Sequence, residues 1–188
     1  GVNLPGFKKG DRTDIELPAV QRELIDALHR AGKKIILVNC SGSPIGLEPE
    51  TQKCEAILQA WYPGQQGGKA VAEVLFGDYN PAGKLPVTFY RNVSQLPDFE
   101  DYNMTGRTYR YMQDVPLFPF GYGLSYTTFG YGKTVLDKNE LTAGQSLKLT
   151  VPVTNTGKCN GEEVVQVYLR KQGDAEGPIK TLRAFKRV

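Results

Sequence analysis

The chain has 188 residues, 40% hydrophobic and 23% charged, enough for one or two soluble domains with a real core. Its net charge of +3 comes from 23 basic and 20 acidic residues mixed along the chain, with no basic run or stripe. That excludes a charge-based argument for a nucleic-acid or membrane partner, and no apolar stretch is long enough to cross a bilayer.

From the N-terminus, residues 1–16 read as a loop, with Gly1, Gly6 and Gly10 and charge at 8–12. The chain starts without Met and ends on a strand-like Leu182–Val188 run, so both ends read as cut. Pro18 suits a first helical turn. Val20, Leu24, Ile25 and Leu28 then give one apolar helix face, and Gly32 ends it. Ile35–Val38 is a continuous apolar run, as in a parallel strand buried on both faces. Ser41-Gly42-Ser43-Pro44 breaks the chain, and 48–55 suits a short helix.

Ala56–Trp61 reads as the next strand, and Pro63-Gly64 as a turn. Gly67-Gly68 opens a helix with an apolar face at Ala70, Val71, Val74 and Leu75. Gly77 ends that helix. A turn cluster at 78–83 leads to an expected strand at Val87–Tyr90. This order of helices and strands implies an α/β layer structure.

Residues 91–133 lose periodicity and collect aromatic residues, an ordered connection of a length that is usually functional or interdomain. From 134 the pattern turns to β. Leu147, Leu149, Val151 and Val153 alternate with polar residues, and Val165, Val167 and Leu169 do so again. Three or four strands fit before Val188, whereas a complete sandwich of this class has about seven. The expected fold is α/β: a partial α/β sandwich over 1–90, an aromatic-rich connection over 91–133, and a partial fibronectin type III-like β-sandwich over 134–188.

Four motifs in order carry a resemblance. They are Gly10-Asp11-Arg12-Thr13 leading to Leu17-Pro18 and Gln21, then Ala56–Tyr90, then Arg107–Tyr111 with Phe118–Tyr126, then Val153–Gly157 with Val164–Tyr168. Together they resemble glycoside hydrolase family 3. Leu96–Phe99, Tyr102–Met104 and Arg107–Tyr109 look most like its β-xylosidase branch, and β-glucosidases share the Phe118–Tyr126 motif.

The resemblance implies a retaining exo-acting β-glycosidase that needs no metal or organic cofactor. Retaining chemistry uses a carboxylate nucleophile and a second carboxyl as acid then base, about 5–5.5 Å apart. In this family the nucleophile is an Asp on an N-terminal (β/α)8 barrel, and the acid/base is usually a Glu shortly before Gly-Asp-Arg. No residue from 1 to 9 is acidic. The resemblance thus places both carboxylates outside this sequence, so the chain alone is expected to be inactive and its catalytic set is empty. It also implies an oligosaccharide substrate of terminal xylose or glucose, a missing barrel partner, and a periplasmic or secreted location.

Asp11 and Arg12 are the substrate-proximal candidates, through a carboxylate–guanidinium contact shaping the catalytic loop; a purely structural ion pair is the alternative. Asp14 and Glu16 follow the motif rather than precede it, and a structural role is expected, with Asp14 facing the positive end of the first helix. Gly64–Lys69 fails as a phosphate loop, because Pro63 and Ala70 stand where Gly and Ser or Thr are required. Close helix–strand packing explains these glycines better.

The aromatic run is expected to plug an interdomain seam, with Arg107 and Arg110 paired there, rather than to form a sugar platform. His29 is expected to face solvent. Cys40, Cys54 and Cys159 read as free thiols, with a Cys40–Cys54 disulfide left open, and one histidine is too few for a zinc site. Asn92-Val93-Ser94 and Asn103-Met104-Thr105 would be glycosylated only in a eukaryotic secretory host. The rival function is a non-catalytic carbohydrate-binding or structural module using exposed aromatics of 99–131. Open strand edges at 147–188 predict self-association.

Overall fold

The computed structural model describes residues 7–8 and 11–188, with side chains from Thr13 onward. Strand β1 (Phe7–Lys8) pairs antiparallel with β2 (Asp11–Arg12), so the first segment carries a short hairpin where a plain loop was expected. Helix α1 spans Ala19–Arg30 with Pro18 at its N-cap and Gly32 just beyond its end at φ 67°. Positive φ at that stop is the reason for glycine there.

Strand β3 (Ile36–Asn39) and helix α2 (Glu48–Thr51) follow, then β4 (Ala56–Gln59), which lies parallel to β3 with Leu37 opposite Ile57. Helix α3 spans Gly67–Phe76 and ends on Gly77 in the left-handed region. The aromatic connection holds a one-turn helix, α4 (Thr108–Tyr111). The remainder is β: β5 (Phe129–Tyr131), β6 (Val135–Leu136), β7 (Leu149–Thr150), β8 (Val153–Asn155), β9 (Val164–Leu169) and β10 (Thr181–Arg187). The pairs β5–β8, β6–β7 and β9–β10 are all antiparallel.

The core collects Leu17, Ile25, Ile35, Ile45, Leu47 and Phe89, with Leu37, Ile57, Trp61, Leu85, Leu117 and Phe118 packed on it. Burying a side chain the size of Phe89 contributes about 1.5–3 kcal/mol. Leu37 and Ile57 share one face of the parallel pair, because side chains alternate along a strand. The other face begins with Ile36, which is 53% exposed, so β3 is not covered on both sides as expected. Helix α1 shows the same asymmetry. Ile25 is buried, but Val20 is 71% and Leu24 61% exposed. On α3, Val71 and Val74 are half-buried, while Ala70 and Leu75 are exposed.

Residues 87–90 form no strand. Phe89 makes an isolated bridge with Phe118, donating to its carbonyl at 2.8 Å. Leu85 and Gly121 extend the contact. Pro86 and Pro119 each lack an N–H, so this pairing stays a set of separate bridges. Pro152 likewise separates β7 from β8, where a continuous strand was expected. Gly67 packs against the Pro63 ring, where a Cβ would lie 2.6 Å away. Its need for glycine is thus set by the turn rather than by helix–strand packing.

Candidate functional site

Three regions carry polar chemistry. The first lies where the segment after β2 meets α1. Arg22 donates from Nη2 to Glu16 Oε2 at 2.5 Å and to the Gly46 carbonyl at 2.9 Å, and from Nε to Glu50 Oε1 at 2.9 Å. Glu50 is fully buried. Burial opposes the Arg22 charge, but the bonds to Glu50 and Glu16 outweigh it and raise its pKa above the ordinary guanidinium value. Two carboxylates held by one guanidinium are committed to structure and not poised as an acid/base pair.

Gly46 donates to the Ile15 carbonyl at 2.9 Å, and Glu16 and Gly46 form a parallel bridge, which ties this segment to the loop after β3. The first helical turn of α1 holds no acidic residue. Asp14 stands ahead of that turn, where its carboxylate accepts from the Glu16 amide at 2.9 Å, a local structural bond. The side chains of Asp11 and Arg12 lie outside the described residues.

The second region joins the aromatic connection to β9 and β10. Tyr109 stacks on Phe120 at 4.3 Å, and Tyr168 meets both rings edge-on. Lys180 Nζ sits 4.8 Å above the Tyr168 ring. A cavity of about 310 Å³ opens between Phe120, Tyr131, Glu163, Gln166, Tyr168 and Lys180. Several of its polar groups bond one another or their neighbours. Lys84 bridges to Glu163 at 3.2 Å, Tyr131 donates to Glu163 at 3.0 Å, and Gln166 donates to the Gly121 carbonyl at 3.0 Å. Burial and the Glu163 carboxylate push the Tyr131 phenol up to about 12. This is a tightly bonded seam. Arg107 donates to the Asp101 carbonyl, and Arg110 lies 6.0 Å over the Tyr109 ring and pairs with its hydroxyl, so each finds a partner in this region.

The third region is the carboxyl end of the parallel strands. Asn39 is buried and donates to Gln59 Oε1 at 2.6 Å and to Ser41 Oγ at 3.0 Å. Gln59 Nε2 donates to the Ser41 hydroxyl at 3.3 Å and to the Ser41 carbonyl at 3.4 Å. Trp61 adopts φ 55°, the left-handed region, which costs roughly 1–3 kcal/mol for a bulky residue. Its ring turns inward, edge-on to Phe89 at 6.0 Å. Tyr62 turns outward and is 80% exposed.

No cluster of metal-ligating side chains is found among the described residues, and Cys40, Cys54 and Cys159 are free thiols. His29 lies exposed in the last turn of α1. Sequence reasoning missed the Arg22–Glu50 pair, because partners 28 residues apart leave no local signature. It also missed the polar cluster at Asn39, Ser41 and Gln59; the only signal was two strand ends carrying amides where apolar residues were due.

Residues 3–126 match the model of the glycosyl hydrolase family 3 C-terminal domain. A xylan 1,4-beta-xylosidase of Xylanibacter ruminicola is 62% identical over 187 residues, which is 100% of this chain and 21% of that protein. A periplasmic beta-glucosidase of Salmonella typhimurium is 43% identical, over 94% of this chain and 25% of that one. Among solved structures, a β-glucosidase from Erythrobacter marinus superposes with a TM-score of 0.82 at 46% identity, covering 95% of this chain and 24% of that one. A β-glucosidase from Listeria innocua bound to glucose gives 0.80 at 32% identity, covering 97% and 27%. The chain spans about a quarter of the length of these relatives. With a family model matched across most of its length and a mixed helix-and-sheet fold shared with solved β-glucosidases, the chain belongs to glycosyl hydrolase family 3, in its C-terminal region.

Proposed function

We propose that this chain is the C-terminal part of a retaining exo-acting β-glycosidase that removes terminal β-linked xylose or glucose from oligosaccharides. The observation that carries this reading is the 62% identity to a xylan 1,4-beta-xylosidase across 100% of the chain. The nucleophile and acid/base carboxylates then belong to parts of the polypeptide outside residues 1–188, the nucleophile on an N-terminal barrel. No cofactor enters this reading.

The chain's own role is to hold the catalytic loop and join it to the rear of the enzyme. In this reading, 1–90 is the back of an α/β sandwich, 91–133 the interdomain connection, and 134–188 the front of a fibronectin type III-like sandwich. Asp11 and Arg12 stand close to substrate, and the Glu16–Arg22–Glu50 cluster anchors the segment that follows them. Exposed Val20, Leu24 and Ile36 support contact with further protein, or self-association when that protein is absent. The periplasmic beta-glucosidase among its relatives supports a periplasmic or secreted location.

The test is hydrolysis of aryl β-xyloside and aryl β-glucoside by the full-length polypeptide that carries this chain. Turnover of either with retention at the anomeric carbon supports the reading. Inversion, or no turnover of either substrate by folded protein, sinks it.

A further inference from the structure

We propose that the cavity between the aromatic connection and the β9–β10 hairpin binds a carboxylate carried on a flat ring, the charge taken by Lys180 and the ring by the corner of Phe120 and Tyr168. The site adds to the glycosidase reading and does not depend on it. Its volume of about 310 Å³ lies at the lower end of small-molecule pockets, room for one ring and its acid group.

Charge selects the ligand. Glu163 on the cavity wall is already held by Lys84 at 3.2 Å and by the Tyr131 hydroxyl at 3.0 Å. Lys180 is exposed, and among the described residues no carboxylate and no hydrogen-bond acceptor engages its ammonium. Asp174, in the same loop, is taken by Lys171 at 3.2 Å. The charge left over in the cavity is therefore the single positive charge of Lys180, which matches one carboxylate. A neutral sugar would leave it unanswered. A phosphate dianion would lack a second cation or a run of backbone donors. Glu163 turns a bound carboxylate away from its own wall and toward Lys180.

Lys180 is held in place by its neighbours. Ile179 donates to the Arg110 carbonyl at 2.6 Å, and Thr181 is buried and paired with Leu169. With the backbone fixed on both sides, Nζ stands 4.8 Å above the Tyr168 ring. A cation over a ring is attracted by its face, yet keeps its three N–H donors for an incoming acceptor. The rings are preset too. Tyr109 stacks on Phe120 at 4.3 Å, and the Phe120 and Tyr168 planes meet at 85°. The Tyr168 hydroxyl donates to Gln166 Oε1 at 2.6 Å, and Gln166 donates to the Gly121 carbonyl at 3.0 Å, which braces the ring. Two fixed rings near a right angle offer a flat ligand one face and one edge, the two favoured aromatic geometries. An aromatic acid and a uronic acid sugar share the chemistry this site asks for, one ring with one carboxylate.

The test is isothermal titration calorimetry on the full-length polypeptide, with excess xylose present to occupy a catalytic pocket. The probes are 4-hydroxycinnamate and xylotriose bearing one glucuronic acid, with methyl 4-hydroxycinnamate and plain xylotriose as their uncharged counterparts. At least one acid is expected to bind saturably, and its uncharged counterpart about tenfold more weakly or less. Lys180→Met should weaken the acid about tenfold or more, while Lys180→Arg retains it. Lys180 is exposed, so an unchanged thermal midpoint in Lys180→Met checks that the fold is kept. Binding of the hydroxycinnamate alone identifies an aromatic acid as the ligand, and binding of the glucuronic acid probe alone identifies a uronic acid; either supports the site. Binding of neither acid overturns the proposal. Equal binding of an acid and its uncharged counterpart overturns it, and so does full binding by Lys180→Met. Failure of the glycosidase reading would show instead in turnover of the aryl glycosides, which Lys180→Met should leave unchanged.

Discussion

Arg22 Nε donates to Glu50 Oε1 at 2.9 Å, and Glu50 is fully buried while Arg22 keeps a quarter of its side chain exposed. The pair joins α1 to α2 and, through Glu16, reaches the segment next to Asp11-Arg12. Removing one partner of a buried pair leaves an uncompensated charge and costs about 3–5 kcal/mol. Arg22→Leu is therefore expected to destabilise by about 3 kcal/mol, the lower end, because water partly screens the pair. Arg22→Leu combined with Glu50→Leu should recover part of that loss. Urea denaturation of the single and double variants measures both.

Gly123 and Gly121 separate two kinds of glycine requirement. A Cβ at Gly123 would collide with the backbone carbonyl of Gly83, which cannot move aside. At Gly121 the collision is with the Gln166 side chain, but φ is +82°. Gly123→Ala is expected to lose about 2–3 kcal/mol by overpacking. Gly121→Ala is expected to lose roughly 1–2 kcal/mol from the left-handed backbone alone, plus the Gln166 bond to its carbonyl. Thermal melts of both variants give the order; a neutral Gly123→Ala would show that the Gly83 carbonyl can move away from Gly123.

Tyr131 gives a pH signature. Its folded pKa is raised to about 12 by burial and the Glu163 carboxylate, against about 10 when unfolded. Between those values the unfolded chain has lost the phenolic proton and the folded chain has kept it. The folded state then binds more protons, so stability is full below about pH 10 and falls as pH rises toward about 12. Tyr131→Phe should flatten part of that fall. Denaturation midpoints across this range, with the phenolate absorbance of each protein, check the sign.

The apolar stripe of α1 predicts association. Val20 and Leu24, with Leu28 beside them, form an exposed row one and two turns apart. The isolated chain is expected to self-associate through this row or through open strand edges at 147–188. Val20→Lys with Leu24→Glu should shift sedimentation toward monomer if the row is responsible. Monomer at all concentrations in the unmodified chain would contradict the expectation.

Much of the local structure was readable in the residues. Pro18, Gly32 and the spacing from Val20 to Leu28 located α1, and the alternation from Val165 to Leu169 located β9. Periodicity reports which face is apolar, but not whether a neighbouring layer covers it. That is why Ile25 is buried while Val20 and Leu24 are not. The Val87–Tyr90 run had strand composition, but its pairing partner is a proline-broken loop that no local pattern reveals. The polar regions were hardest, because Arg22 with Glu50, and Asn39 with Gln59, meet only through the fold. Trp61 gives no composition signal for its left-handed backbone.

Under the proposed function, residues 1–188 would support glycoside hydrolysis without performing it. The direct measurement is release of aryl alcohol from aryl β-xyloside and aryl β-glucoside by the isolated 188-residue chain. No turnover above buffer is expected. Turnover that disappears when Glu16, Glu50 or Glu163 is changed to Gln would contradict it.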